Sequence, residues 1–349
     1  MTLASSLSND SARPIETSGQ IGPDYYKGFV VAPNSQSWPD KNGSYFGYSD
    51  LKQMKDWGAT AVRIHAQRGY WIMPTKGTFS MSYFQTKLDV YVNNCTSLGL
   101  YCIIELGDWS WSSYFGSGSG MPSWFFTGLY PANDSYRAIA AKDFWNLDNP
   151  IQAENRQWFI AWWQFIADRY KDNPWVMFSI YNEPLNPGVG SFANSTEELR
   201  ISGCYSRFME QVYDAIRATG AKQTVIVNQP FVWSQRDIVK VDRPIVWDFH
   251  LYVSSTSSMS QWTNDFVQRY NRCVRDFGQS FLMLEFGVYP ASDYNVLDYQ
   301  TILTQQVATL KNYEAVGWFW LEYGALAGEY GNNLTPEQSA NVVTAVLQS

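Results

Sequence analysis

Short apolar runs alternate with longer stretches of helical periodicity along almost the whole chain. Eight runs predict β-strands, at 27–32, 60–65, 100–106, 175–181, 223–228, 245–252, 281–286 and 316–321. Most of them are nearly continuous in apolar residues, as parallel strands covered on both faces should be. Amphipathic segments that predict helices lie near 49–57, 82–98, 151–171, 197–219, 261–277, 297–314 and 336–347.

Eight strands followed by helical segments predict a single closed (β/α)8 TIM barrel in the α/β class. The segment 233–240, after the fifth strand, is only weakly helical. An open doubly wound sheet is the structural alternative, but the first strand is not followed by the glycine pattern of a dinucleotide-binding turn. We expect the barrel to be one catalytic domain over residues 25–349, preceded by a polar N-terminal tail over 1–24.

The connection after the third strand, 107–149, is far longer than an ordinary strand-to-helix loop. It is rich in tryptophan, tyrosine and phenylalanine, which is not typical of a disordered segment. Because it follows a strand, it belongs to the face of the barrel where active sites lie. We therefore expect this long aromatic loop to form one wall of a cleft.

Composition narrows the class of ligand. The formal net charge is −7 and basic runs are absent, which argues against a nucleic-acid partner. No run of eighteen apolar residues predicts a membrane span. The 16 tryptophans are more than one core needs, and surplus indole rings in a cleft commonly stack on sugars.

Six Asn-x-Ser/Thr sequons suggest a secreted glycoprotein, or simply an Asn- and Ser-rich surface. They begin at Asn9, Asn42, Asn94, Asn133, Asn194 and Asn333. The N-terminus does not read as a signal peptide as it stands, so we expect extracellular localisation with a signal or anchor outside this sequence. Four cysteines show no metal-binding spacing, and Cys102, within an apolar strand, is expected to be a buried thiol.

Two glutamates end predicted strands at the same face of the barrel. Glu183 follows the fourth strand and Glu285 ends the seventh. A lone carboxylate at the end of an apolar strand is costly unless it is solvated or paired. Two carboxyls that face each other across a barrel mouth suit glycosidic cleavage, one as acid/base and the other as nucleophile.

The motifs around these glutamates resemble those of glycoside hydrolase family 5, over roughly residues 25–348. The matching segments are YNEP at 181–184, HLY at 250–252, LEFG at 284–287 and FWLE at 319–322. The resemblance implies that Glu183 is the acid/base and Glu285 the nucleophile, with no metal or other cofactor. The substrate-binding residues it implies are Arg63, Asn182, His250, Tyr252 and Trp320.

One position departs from the family pattern, which usually places a histidine at the end of the third strand. Here Gly107 occupies that place, so Asp108 or Trp109 is expected to supply the sugar contact. Other tryptophans that follow strands are candidates for sugar stacking, and we expect about half of them to serve; they are Trp38, Trp71, Trp111, Trp233 and Trp262. Alternation turns Glu105 away from the mouth, so we assign it a structural role, whereas Glu322 is the rival carboxylate.

These residues predict a retaining endo-β-1,4-glycanase, and β-glucan of the cellulose type is the first choice of polysaccharide substrate. Mannan and xylan are alternatives, because such epimers are distinguished by a few hydrogen bonds that motifs do not reveal. A non-catalytic carbohydrate-binding barrel is a rival from another class. Two carboxyls and water suffice for the reaction. We expect the protein to act as a monomer.

Overall fold

The computed structural model describes residues 24–31, 47–67, 69–107, 111–116, 120–184, 195–229, 238–254, 257–288, 299–321 and 336–348. Its strands are β1 Tyr26–Val31, β2 Ala61–Gln67, β3 Tyr101–Leu106, β4 Val176–Ser179, β5 Val225–Asn228, β6 Val246–Val253, β7 Ser280–Val288 and β8 Gly317–Trp320. Each strand pairs in parallel with the next, and β8 pairs with β1 to close the sheet. The predicted (β/α)8 barrel is confirmed.

Helices lie between the strands. They are α1 Tyr48–Asp56, α2 Gly69–Ile72, α3 Met81–Tyr83, α4 Asp89–Ser97, α5 Arg137–Trp145, α6 Ala153–Tyr170, α7 Ser195–Ala218, α8 Met259–Tyr270, α9 Tyr299–Asn312 and α10 Pro336–Val343. Three π-helical turns extend this set, Phe84–Leu88 between α3 and α4, Asn271–Asp276 after α8 and Thr344–Gln348 after α10. None of the helices in the described ranges is long and apolar enough to cross a membrane.

Two sequence predictions lie wholly or mostly outside the described residues. The polar N-terminal tail at 1–24 is described only from Asp24 onward. The weakly helical segment at 233–240 is described only from residue 238, and 238–240 is not helical.

The apolar side chains form two layers, as the alternation of a strand buried on both faces requires. The inner layer fills the barrel and includes Val30, Ala61, Ile103, Met177, Ile226, Val246, Leu282, Leu284 and Phe319. The outer layer lies between strands and helices and holds most of the buried aromatic rings. The barrel interior is therefore a packed core, and a functional site has to lie above it, at the strand ends.

In the described part of the long connection after β3, the aromatic rings do not form the cleft wall that the composition suggested. Its described rings are mostly buried, including Trp111, Phe115, Phe125, Phe126, Phe144 and Trp145. They pack on one another and on Tyr181 at the end of β4. Burial of large aromatic surface is strongly favourable, so this insertion is an extension of the outer core. Leu129, Tyr136 and Ile139 are its exposed large apolar side chains among the described residues.

Candidate active site

Polar side chains take over the inward-facing positions near the carboxyl ends of five neighbouring strands. Each stands two residues after an apolar residue of the inner layer, and they are Arg63, Glu105, Ser179, Asn228 and Asp248. All five are at most 1% exposed. Because buried polar groups need partners, this layer has to be internally hydrogen-bonded, and it is.

Arg63 is the centre of this polar layer. Its Nη1 donates to Glu285 Oε1 at 2.7 Å, and its Nη2 donates to Glu105 Oε2 at 2.5 Å and to Asn182 Oδ1 at 2.6 Å. Ser179 Oγ donates to the other oxygen of Glu105 at 2.8 Å. Burial opposes the charge of Arg63, but Glu105, Glu285 and Asp248 outweigh it, so its pKa rises above its ordinary value. Arg63 is therefore a fixed cation between Glu105 and Glu285.

Glu285 faces the mouth because β7 contains a bulge. Leu282 and Leu284 both line the barrel interior, so strict alternation would turn Glu285 outward. The register between β6 and β7 instead shifts between Asp248 and His250, and an irregularity of this kind re-aims a side chain. Tyr252 donates its hydroxyl proton to Glu285 Oε2.

Two buried side chains satisfy the backbone that the bulge takes out of the ladder. The Leu284 N–H donates to Asp248 Oδ1 at 2.8 Å, and the Leu284 carbonyl accepts from Arg63 Nη1 at 3.0 Å. An unpaired buried backbone group would cost on the order of 1–3 kcal/mol. Asp248 and Arg63 therefore stabilise the conformation that points Glu285 at the mouth.

Glu183 is held at the end of β4 in an unusual backbone conformation. Its φ of 42° lies in the left-handed region, which is unfavourable for a residue with a Cβ. Its N–H donates to Asn228 Oδ1 at 3.2 Å, and Asn228 Nδ2 in turn donates to Asp248 Oδ2. His250 Nδ1 lies 2.9 Å from Glu183 Oε1. The acidic side chain is thus fixed from β5 and β6.

His250 lies between acidic groups on both sides. Its Nδ1 is 2.9 Å from Glu183 Oε1 and 3.5 Å from Glu285 Oε2. Its Nε2 is 3.0 Å from Asp248 Oδ2, which is an ion-pair contact rather than an aligned hydrogen bond. Burial lowers the pKa of His250, but Glu285 and Asp248 raise it by more, and the result is a pKa of about 10. At neutral pH both ring nitrogens therefore carry protons.

Three of these groups are close enough together to hold a metal ion. Ligand atoms of Glu183, His250 and Glu285 lie within 4.8 Å of one another. A protonated imidazole is not a ligand, and both oxygens of Glu285 already accept hydrogen bonds, from Arg63 and Tyr252. The donor set at neutral pH thus suits a pair of reacting carboxyls better than it suits cation binding, and absence of a cofactor stays a prediction.

Comparison with known families identifies the chain. The model of the cellulase family, glycosyl hydrolase family 5, matches residues 27–325. The chain belongs to glycoside hydrolase family 5. It is therefore a glycoside hydrolase, and its substrate is a carbohydrate.

Solved structures with the same fold come from several family 5-like enzymes. An endogalactoceramidase is 17% identical, with 93% of this chain and 80% of that chain covered and a TM-score of 0.68. A lactosyl-enzyme intermediate of endo-glycoceramidase II from Rhodococcus sp. is 18% identical, with 92% and 80% covered and a TM-score of 0.69. The cellulose synthase subunit Z of Clostridioides difficile is 14% identical, with 92% and 99% covered and a TM-score of 0.61. No curated protein matches the sequence.

The structure brings most of the residues predicted for the family 5 site together. Contacts link Arg63, Asn182, Glu183, His250, Tyr252 and Glu285 in one cluster at the mouth. Trp320, at the end of β8, is 1% exposed and packs edge-on against Phe29. These contacts do not test the sugar-stacking role of Trp320, which stays a prediction. Asp108, Trp109, Trp233, Trp38 and Glu322 lie outside the described residues.

Gly107 explains the missing family 5 histidine. Its φ is +89°, and a Cβ at this position would lie 2.2 Å from the ring of Tyr181. The ring therefore occupies the space that a side chain at the end of β3 would need. Tyr181 itself packs against Trp111 and Trp145 of the insertion, so the insertion holds the ring that fills this space.

Sequence reasoning placed some residues wrongly and overlooked others. Glu105 does not point away from the mouth but into the barrel beneath it, against Arg63. Trp111 and Trp262 are core residues at 1% and 2% exposure rather than sugar platforms. Asp248 and Asn228 were not predicted, although each follows an inward apolar residue by two positions. That spacing was the available signal.

The proton on His250 predicts a pH dependence of stability. The pKa of His250 is about 10 in the folded protein against an ordinary 6.5, so its contribution is fully present below pH 6.5 and is lost as the pH rises toward 10. We expect the free energy of unfolding to fall through that window by at most about 1.4 kcal/mol per pH unit. Urea unfolding of the wild type and of His250→Gln at several pH values measures this. Equal slopes for the two proteins would contradict the assignment.

Proposed function

We propose that this family 5 chain is a retaining endo-β-1,4-glycanase that hydrolyses β-1,4-glucan by double displacement. The observation that carries the proposal is the closeness of Glu183 and Glu285, since one carboxylate oxygen of each lies within 4.8 Å of the other at the barrel mouth. Retaining enzymes hold their two carboxyls about 5–5.5 Å apart, whereas inverting enzymes leave about 6.5–9.5 Å for a water molecule. The spacing supports a covalent intermediate.

In the first step Glu285 attacks the anomeric carbon while Glu183 protonates the departing glycosidic oxygen. Arg63 and Tyr252 each donate to one oxygen of Glu285, which favours its ionised form. His250 Nδ1 lies 2.9 Å from Glu183 Oε1 and fixes the position of that carboxyl. The bond from carbon to the leaving oxygen breaks as the ester to Glu285 forms.

In the second step water displaces Glu285 from the sugar. Esterification removes the negative charge of Glu285, which lies 3.5 Å from His250 and 2.7 Å from Arg63. The positive charge of His250, 2.9 Å from Glu183, is then no longer shared with Glu285. Ionised Glu183 takes the proton of the attacking water, and hydrolysis of the ester restores both carboxyls to their starting states.

Asn182 supplies a donor for the substrate. Arg63 has only donors, so it fixes Asn182 Oδ1 toward itself and turns Nδ2 the other way. This Nδ2 is buried and has no hydrogen-bond partner within the described part of the chain. We propose that it donates to a sugar hydroxyl, a bond that strengthens as charge develops on the ring.

A substrate screen tests the proposed specificity. We expect reducing ends to be released fastest from carboxymethylcellulose, and on the order of tenfold more slowly from mannan and xylan, because the sugars of these polymers differ by only a few contacts with the site. The Glu285→Ala variant gives the background rate on each polymer. A chain that acts fastest on mannan or xylan would keep the proposed mechanism and overturn the proposed substrate.

A glycolipid is a second candidate substrate. The similar structures include several of endo-glycoceramidase II, one of them a complex with the ganglioside GM3. These relatives share only 16–18% of their residues with this chain, so the likeness supports a fold rather than a substrate. Lactosylceramide in detergent micelles belongs in the same screen, and release of lactose exceeding the rate on every polysaccharide would favour this candidate.

We also propose that the enzyme acts outside the cell as a monomer. Two of its six sequons fall on described residues, with Asn133 exposed and Asn94 half-buried. Glycosylation at Asn133 in a eukaryotic secretion host, detected as a mass increase that a glycosidase removes, supports an extracellular route.

All four cysteines are buried free thiols, as was expected for Cys102.

A further inference from the structure

The backbone of the Glu183–Pro184 turn needs support from outside β4. Glu183 has a φ of 42°, and a left-handed conformation is unfavourable for a residue with a Cβ. Such a conformation persists only where neighbouring groups hold it. The carboxyl at this turn has the acid/base role in the proposed function, so its position decides whether a proton reaches the glycosidic oxygen.

Three hydrogen bonds hold three successive residues of this turn. The Asn182 N–H donates to the Leu106 carbonyl at 2.9 Å, and the Glu183 N–H donates to Asn228 Oδ1 at 3.2 Å. The Pro184 carbonyl accepts from Trp145 Nε1 at 2.7 Å. The first two partners belong to barrel strands that many such folds contain, whereas Trp145 belongs to the insertion after β3.

The ring of Trp145 is held in one position by the aromatic side chains around it. Trp145 is fully buried, and its ring packs against Trp111, Phe144, Phe159, Tyr181, Tyr205 and Phe208. Interiors packed in this way are stiff, so the indole N–H has one position relative to β4. The shortest of the three bonds on the turn therefore comes from the aromatic insertion.

We propose that Trp145 is a positioning residue for acid/base catalysis, whose indole N–H fixes the Pro184 carbonyl and thereby holds the Glu183 carboxyl in reach of the glycosidic oxygen. This inference rests on the proposed function. It gives the insertion a task in the reaction, although most of its described aromatic rings are buried.

The test compares Trp145→Phe with a matched control, Trp162→Phe. Trp162 is equally buried, packs on the same Phe159, and its Nε1 has no hydrogen-bond partner among the described residues. Both variants lose an indole from one aromatic cluster, but only Trp145→Phe removes a donor to the turn. The readout is kcat/KM on an unactivated oligosaccharide and on a glycoside with a strongly activated aryl leaving group, which needs little acid assistance.

We expect Trp145→Phe to lose about tenfold in kcat/KM on the oligosaccharide and less than about twofold on the activated glycoside, because a small misplacement of the acid weakens protonation of a poor leaving group. Trp162→Phe should change both by the same factor. Equal losses for Trp145→Phe on the two substrates overturn the positioning role. If Glu183→Gln also loses the same factor on the oligosaccharide and on the activated glycoside, the acid/base assignment is wrong, and the inference that rests on it is wrong too.

A measurement on the wild type covers the case in which Trp145→Phe does not fold. The indole N–H resonances of Trp145 and Trp162 can be followed as a slow fluorinated glycoside traps the covalent intermediate. The Trp145 resonance should shift, because its acceptor adjoins Glu183, and the Trp162 resonance should stay in place. A Trp145 resonance that does not move overturns the proposal.

Discussion

Glu285→Ala is expected to abolish turnover on polysaccharide, with kcat/KM falling by at least about four orders of magnitude. The reason is that no covalent intermediate forms without the carboxylate, and water has no base aligned for direct displacement. The backbone of the site should survive, since Asp248 and Arg63 hold the bulge through Leu284 rather than through the Glu285 side chain. Rates of reducing-end release and binding to insoluble polymer measure the two properties separately.

A labelling experiment identifies the nucleophile directly. A glycoside with fluorine at carbon 2 and an activated leaving group should leave the wild type labelled on the peptide that contains Glu285, as mass spectrometry of a digest will reveal. Glu154→Ala is the control, because Glu154 is an exposed glutamate on α6. Label on another carboxylate, or substantial activity in Glu285→Ala, would refute the assignment.

Glu183→Gln should produce a loss that depends on the leaving group. On unactivated oligosaccharide we expect kcat/KM to fall by about 10²–10⁴-fold, the usual contribution of a general acid. On an aryl glycoside with a strongly activated leaving group the loss should stay below about tenfold. The amide oxygen can still accept from His250 Nδ1, so the surroundings of the side chain are preserved.

The comparison uses kcat/KM, because this quantity reports the formation of the intermediate and not its breakdown, for which Glu183 is also the proposed base. Glu285→Ala is the reference, since it should fail on both kinds of substrate alike. Equal losses for Glu183→Gln on both substrates would show that Glu183 is not the acid. The spacing of the two carboxyls at the mouth would then no longer support a retaining mechanism.

The sequence predicted the barrel well because its strands are nearly continuous apolar runs bounded by polar or glycine-containing segments. All eight predicted strands overlap observed strands, and the ends of β4 and β7 place Glu183 and Glu285 together. The carboxyl ends of parallel strands meet at one face of a barrel. That rule needs only the order of strands, which the pattern provides.

The details of the site depended on contacts that no local pattern contains. Alternation alone puts Leu284 and Glu285 on opposite faces of β7, and only the bulge brings both inward. Glu105 was assigned to the wrong face although it follows the inward Ile103 by two positions, and its partner, Arg63, lies on another strand. Pairing across strands is a tertiary property, and the periodicity of one strand cannot encode it.

The aromatic insertion was misinterpreted for a different reason. Rings that stack on sugars and rings that fill a core have the same composition, so the sequence of 107–149 fits either role. The structure shows Phe125, Phe144 and Trp145 fully buried. The absence of the family histidine at Gly107 was the available clue, because it pointed to a crowded strand end rather than an open one.

The burial of this insertion has a consequence for how the enzyme can change. Loops at the active face of a barrel are commonly replaced or shortened with little harm to the rest of the fold, and this is how such enzymes acquire new substrates. In this chain the segment after β3 shares its apolar interior with β4 and α7. A transplanted loop would therefore have to bring a tryptophan of its own to the Pro184 carbonyl, so diversification of this lineage is more readily accommodated by the other connections around the rim.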